Sequence, residues 1–137
     1  MTSAAAKYLL DASAIYPLTL KLREKLLLHR GLFAVLDLTI YEVGNAIWKG
    51  YRRGKILNVL PVAKLFEEVL KDLEKLSIGS VLHEVLDVAA KSNITVYDAS
   101  YIHVARKHRL KLVTEDEDLL KFPESISVGE LLRELKL

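Results

Sequence analysis

Short apolar runs alternate along the chain with longer stretches in which apolar residues recur every three or four positions, the pattern of an α/β domain with a parallel sheet. Tyr8-Leu9-Leu10 reads as a buried strand that ends at Asp11. Leu32 to Leu38 reads as a second, preceded by a Leu-rich, Lys-bearing helix that Gly31 closes. From Thr39 to Arg53, the residues Ile40, Val43, Ile47 and Tyr51 mark a helix, and Gly54 follows at the position of a C-terminal cap. Pro61 opens a helix over Val62 to Leu73, and a short third strand lies near Leu76 to Ile78. Val81 to Ala90 is helical, a further helix starts near Asp98 and continues through Val104 to His108, and Lys111 to Thr114 is a fourth strand. Ile126 to Val128 is a weak fifth strand before a terminal helix. No linker, repeat or low-complexity segment divides the chain, so a single domain over residues 1–137 is expected.

With 137 residues and 51% hydrophobic content, such a domain can bury a core without covalent staples. The absence of cysteine excludes a disulfide framework, a thiolate zinc site and a cysteine nucleophile together. Any metal must be held by oxygen or histidine. Met1 to Leu10 has no basic cluster ahead of a long apolar run, and no stretch reaches the roughly 18 uncharged apolar residues that cross a bilayer, so a soluble, cytoplasmic protein is expected. A net charge of +2 does not by itself announce a nucleic-acid binder.

The chemistry emerges when the acids are placed on this scheme. Asp11 follows the first strand, Glu42 opens the helix after the second, Asp98 opens another helix, and Asp116 follows the fourth strand. The carboxyl ends of all strands in an open parallel sheet share one rim, where ligands bind. At an effective dielectric of ~20 and a spacing of ~5 Å, two such carboxylates repel by roughly 3 kcal/mol. A hard divalent cation relieves that repulsion, and magnesium is commonly held by one or two carboxylates, water and substrate phosphate. Phosphodiester hydrolysis is the chemistry this donor set suits.

Each acid also has a local explanation. Thr39 with Glu42 has capping-box spacing, Thr95 with Asp98 repeats it, and acids after Thr114 complement a helix dipole. Asp11 stands apart, because an aspartate directly after a buried strand needs a partner. A haloacid-dehalogenase-like phosphatase would carry a second aspartate where Ser13 stands, and a receiver domain would carry an acidic pair that is missing here.

Asp11-Ala12-Ser13-Ala14, Tyr41-Glu42-Val43-Gly44-Asn45-Ala46, Tyr97-Asp98-Ala99-Ser100-Tyr101 and Val113-Thr114-Glu115-Asp116-Glu117-Asp118-Leu119 resemble the four ordered motifs of PIN domains, and the length is similar to that of the family's VapC ribonuclease toxins. The resemblance implies a three-layer α/β/α fold with a central parallel sheet of four to five strands. It implies a Mg2+- or Mn2+-dependent endoribonuclease acting on single-stranded or loop RNA, with Asp11, Glu42, Asp98 and Asp116 as catalytic metal-binding acids. Asp118 would assist or replace Asp116, and Ser13, Asn45, Ser100 and Thr114 would support the acids. It further implies a small antitoxin partner and a homodimer, for which surplus apolar helix surface around Leu26, Leu27, Leu28, Trp48 and Tyr51 is available. A non-catalytic PIN-like scaffold and an RNA-processing nuclease outside a toxin pair are the alternatives; retention of all four acids favours catalysis.

Lys49, Arg52, Arg53 and Lys55, interleaved with Trp48 and Tyr51, form a candidate RNA-binding group, and Arg106, Lys107, Arg109 and Lys111 a weaker one. Helix-end cations also answer the dipole. His29, His83, His103 and His108 lack paired ligand spacing and are not assigned to metal.

Overall fold

A computed structural model describes residues 6–137, so the reading of the first five residues lies outside it. Five strands form one parallel sheet: β1 (Tyr8–Leu10), β2 (Phe33–Leu36), β3 (Glu74–Leu76), β4 (Lys111–Val113) and β5 (Ser125–Ile126), in the order β3-β2-β1-β4-β5. Among the described residues, seven helices accompany them: α1 (Ala12–Leu22), α2 (Glu24–Leu28), α3 (Asp37–Arg52), α4 (Val59–Lys71), α5 (Leu82–Ser92), α6 (Val96–His108) and α7 (Val128–Leu135). The chain steps outward from β1 to β2 to β3, then crosses back and steps the other way from β4 to β5. The direction therefore reverses between β1 and β4, and such a switch point opens a crevice at the carboxyl ends of the strands.

Both faces of the sheet are covered, which is why its strands read as continuous apolar runs. Tyr8, Leu10, Phe33, Val35 and Val113 pack with residues of α1, α3, α4 and α7, while Leu9, Ala34, Leu36 and Leu112 pack with Tyr101, Ile102, Val104 and Ala105 of α6. Val85 and Ala89 of α5 close on Ala99 of α6. The three-layer α/β/α expectation holds. No helix among the described residues is long and apolar enough to cross a membrane.

Several boundaries differ from the sequence reading, each for a local reason. The helix after β1 breaks at Arg23, whose φ of 50° interrupts the helical turn, and Gly31 lies within a 3-10 turn (Arg30–Leu32) and closes no helix. Leu26 is fully buried and joins the core, which removes it from the proposed apolar surface; Leu28, Trp48 and Tyr51 remain exposed. Strand β2 ends at Leu36, because the Leu36 N–H is taken by the Thr39 hydroxyl at 3.0 Å and α3 starts at once. Helix α4 begins at Val59, capped by Asn58, so Pro61 occupies its first turn, where no N–H is required. Strand β3 starts two residues earlier than expected, since this edge strand carries Glu74 and Lys75 and shows no apolar run. Val128 belongs to α7, capped by Ser127 with Glu130 in a reciprocal box, and so leaves β5 with two residues. Gly54, with φ of 76°, sits just past the end of α3 as expected.

Candidate active site

Asp11 is the first residue after β1 and is only 5% exposed. It also caps α1: its Oδ1 accepts the Ala14 N–H at 3.0 Å and the Ser13 hydroxyl at 2.7 Å. Burial raises its pKa above the ordinary carboxylate range, with the charge of Asp116 adding to the rise; the Ser13 and Thr114 hydroxyls and the Ala14 N–H oppose it. Across the switch point, Asp116 follows β4. Its Oδ1 accepts the N–H groups of Asp118 at 2.9 Å and Leu119 at 3.3 Å, and its own N–H is held by Thr114 Oγ1 at 3.0 Å.

Glu42 lies in the second turn of α3. It does not reach back to cap that helix; its Oε1 accepts the Tyr101 hydroxyl at 2.6 Å, and Thr39 serves the cap by accepting from Leu36. The capping-box reading of Thr39 with Glu42 is thus corrected. Burial raises the Glu42 pKa, opposed by Tyr101 and reinforced by Asp11 and Asp98. Asp98 sits in the first turn of α6, whose N-cap is Thr95 with its hydroxyl 3.1 Å from the Asp98 N–H. Its pKa is raised first by burial and then by Asp116, Asp11 and Asp118.

These four acids line one depression of about 140 Å3, together with Ala12, Ser13 and Tyr101. The raised pKa values of Asp11, Glu42 and Asp98 come first from burial and then from the charges of neighbouring acids, which registers the same convergence. Asp118 is not in this depression. Its carboxylate pairs with Lys121 at 3.5 Å and lines a neighbouring, larger hollow of about 450 Å3 with Ser92, Asn93, Ile94, Phe122 and Pro123. The larger hollow carries a single acid, whereas the smaller depression gathers four.

The supporting residues divide. Ser13 and Thr114 stand together, their hydroxyl oxygens 3.3 Å apart, and Ser13 Oγ also accepts the Glu115 N–H at 2.9 Å. Ser100 donates instead to the Val96 carbonyl of its own helix at 2.7 Å, and Asn45 is exposed outside the depression. Lys49, Arg52, Arg53 and Lys55 are exposed, with the Arg52 guanidinium 5.3 Å from the centre of the Trp48 ring. Tyr101 also lines the depression, and it was not among the site residues expected from the sequence. Its signal is spacing, since three residues after Asp98 places it on the same face of α6.

A divalent ion fits the donor set in one particular way. Among the described residues, no three or more His, Asp or Glu side chains are grouped so that they could hold a metal ion. Four carboxylates spread around an open depression, all hard oxygen donors, suit a cation that keeps waters and completes its shell with substrate oxygens.

Residues 8–125 match the PIN domain family, and the chain belongs to it. Its relatives place it among the VapC-type members. It is 42% identical over 127 residues to Exonuclease VapC9 of Pyrobaculum aerophilum, a match covering 92% of this chain and 93% of that protein. Ribonuclease VapC3 of the same organism is 40% identical over 96 residues, covering 67% and 72%. The crystal structure of a Pyrobaculum aerophilum protein is similar with a TM-score of 0.86 and 41% identity over 96% of this chain and 97% of that one. A chain of a toxin-antitoxin complex from Klebsiella pneumoniae shares the fold, with a TM-score of 0.63 at 17% identity over 89% and 98%.

Proposed function

We propose that the chain is a Mg2+- or Mn2+-dependent ribonuclease that cuts single-stranded or loop RNA internally, as the toxin of a VapBC-type pair. The observation that carries this reading is the convergence of Asp11, Glu42, Asp98 and Asp116 on one depression at the switch point between β1 and β4. Those four acids would surround the ion, one or two of them ligating it directly while waters and substrate oxygens complete its shell. When bound, it would lower the pKa of a water and neutralise charge developing on the phosphoryl oxygens. The chain's own residues prepare that chemistry: Ser13 and the Ala14 N–H fix Asp11, Tyr101 holds Glu42, and the Asp118 and Leu119 N–H groups hold Asp116. Carboxylates whose proton affinity burial has raised are suited to accept the proton of an attacking water.

Lys49 on α3 and Arg53, the residue that caps its end, follow Glu42 by 7 and 11 residues, about 10 and 16 Å along the helix axis and near the same face, two cations leading away from the acids. This supports a bound RNA backbone along α3. The relatives' VapC names and the fold shared with a toxin-antitoxin complex support an antitoxin partner, and exposed Leu28, Trp48 and Tyr51 provide apolar surface for it or for a homodimer.

The name Exonuclease carried by VapC9 supports a second reading, cleavage from RNA ends. One experiment separates the two. Purified protein free of any partner is incubated with linear and circular single-stranded RNA and Mn2+ or Mg2+. Cleavage of both, lost with a chelator and in Asp11→Asn and Asp98→Asn, supports the endonuclease; cutting of the linear RNA alone supports end-directed cleavage. Undiminished cutting by both variants would sink the site assignment.

A further inference from the structure

We infer that Tyr101 is a positioning residue: its hydroxyl, oriented by Thr39, locks one oxygen of Glu42 and commits the other, Oε2, to the cation or water of the depression. The inference rests on the metal-dependent reading of that depression.

The direction of the hydrogen bonds follows from counting protons. A carboxylate only accepts, so the single proton of Tyr101 Oη goes to Glu42 Oε1, 2.6 Å away. Thr39 Oγ1 lies 2.7 Å from Tyr101 Oη and already accepts the Leu36 N–H at 3.0 Å. With the phenol proton committed to the glutamate, the threonine must donate to the phenol. The chain therefore runs one way, from Leu36 N–H through Thr39 and Tyr101 to Glu42. It begins on backbone at the carboxyl end of β2, and Leu36, Thr39 and Tyr101 are each at most 1% exposed.

A tyrosine serving only to fill the core has no use for such an arrangement, because phenylalanine occupies the same space without a polar atom to satisfy. Here the buried hydroxyl reaches a carboxylate that lines the site, and links α6, which carries Asp98, to α3, which carries Glu42. Glutamate on an open helix face samples several rotamers; a short bond from a rigid, buried ring selects one. Such outer partners of metal ligands commonly matter by about 10- to 100-fold in metal affinity or activity.

The test is a double-mutant cycle read by Mn2+ binding, using calorimetry or the spectrum of free Mn2+, with thermal melting as a fold control. Tyr101→Phe is expected to weaken Mn2+ binding by about 10- to 100-fold while remaining folded. In a Glu42→Ala background the same change is expected to have no further effect, because Tyr101 acts through Glu42. Thr39→Val should move in the direction of Tyr101→Phe, and Thr39→Ser, which keeps the hydroxyl, should bind as wild type. Wild-type affinity in Tyr101→Phe, or a loss that persists in the Glu42→Ala background, overturns the inference while Asp98→Asn still reports on the metal site. Absence of Mn2+ binding by the wild type overturns both readings together.

Discussion

Ser13 Oγ donates to Asp11 Oδ1 at 2.7 Å, and the same oxygen accepts the Glu115 N–H at 2.9 Å. One hydroxyl thus joins the segment after β1 to the segment after β4, the two strands that flank the switch point. Ser13 is exposed, so Ser13→Ala leaves the Glu115 N–H to water and should cost at most about 1 kcal/mol in stability. Its effect on function should be larger. Asp11 loses a bond that favours its ionised form, and the Asp116 loop loses its tie. Single-turnover cleavage is expected to slow by about tenfold or more, and a wild-type rate would show that Asp11 needs no such support.

Asp116 and Asp118 are two residues apart and face different hollows. Asp116 lines the acid depression, whereas Asp118 pairs with Lys121 and lines the neighbouring cavity. Asp116→Asn keeps an oxygen to accept the Asp118 and Leu119 N–H groups, so the loop should survive while Mn2+ affinity falls by about tenfold, ~1.4 kcal/mol. Asp118→Asn should change it by less than about twofold, through its distant charge on Asp98 alone. Equal losses in calorimetry would bring both acids to the ion.

The contrast between Asp11 and Tyr101 shows which parts of the site a sequence can display. Asp11 was legible because an acid directly after a fully buried strand contradicts its surroundings, and the parallel sheet then gathers the other strand-end acids onto the same rim. The buried strands β1, β2 and β4 were legible for a related reason, as apolar runs with both faces covered. Strand β3 was misplaced because an edge strand bearing Glu74 and Lys75 needs no apolar run. Tyr101 hides among the residues of the core, since its apolar ring satisfies the helical pattern and its hydroxyl acts on a residue 59 positions away. Glu42 misled in the opposite sense: its spacing from Thr39 fits a local cap, and only the three-dimensional approach of α6 supplies the stronger partner.

The cations of α3 carry a prediction that does not involve the chemical step. Lys49 and Arg53 lie on the Glu42 face but at some distance from the acids, and no carboxylate among the described residues pairs with either. Replacing both by glutamine should raise KM for single-stranded RNA and leave kcat nearly unchanged. A side chain that neutralises a phosphate releases its counterion, so the slope of log affinity against log salt should flatten by about 0.7 for each phosphate left unneutralised. An unaltered slope in nitrocellulose filter binding would remove α3 from the RNA path.

Asp98 provides the pH test. Burial and then the charges of Asp116, Asp11 and Asp118 raise its folded-state pKa, so the metal-free native state binds a proton at this site more tightly than the unfolded chain does. The resulting stability is fully present below the ordinary aspartate value of about 3.9 and is lost as pH rises through the higher folded value. A first-turn acid also gains about 0.3–1 kcal/mol from the helix dipole, which opposes the loss. Desolvation together with three like charges is expected to exceed that field. Metal-free Asp98→Asn should therefore melt above wild type at neutral pH, and the difference should vanish toward pH 4. Excess Mn2+ should reverse the order, because binding stabilises the wild type by RT ln(1 + [L]/Kd) and the variant far less. Melting curves at two pH values, with and without Mn2+, decide the matter. A metal-free variant that melts below wild type at neutral pH would mean that Asp98 is favourably placed without an ion, which would remove the electrostatic argument for metal at this depression.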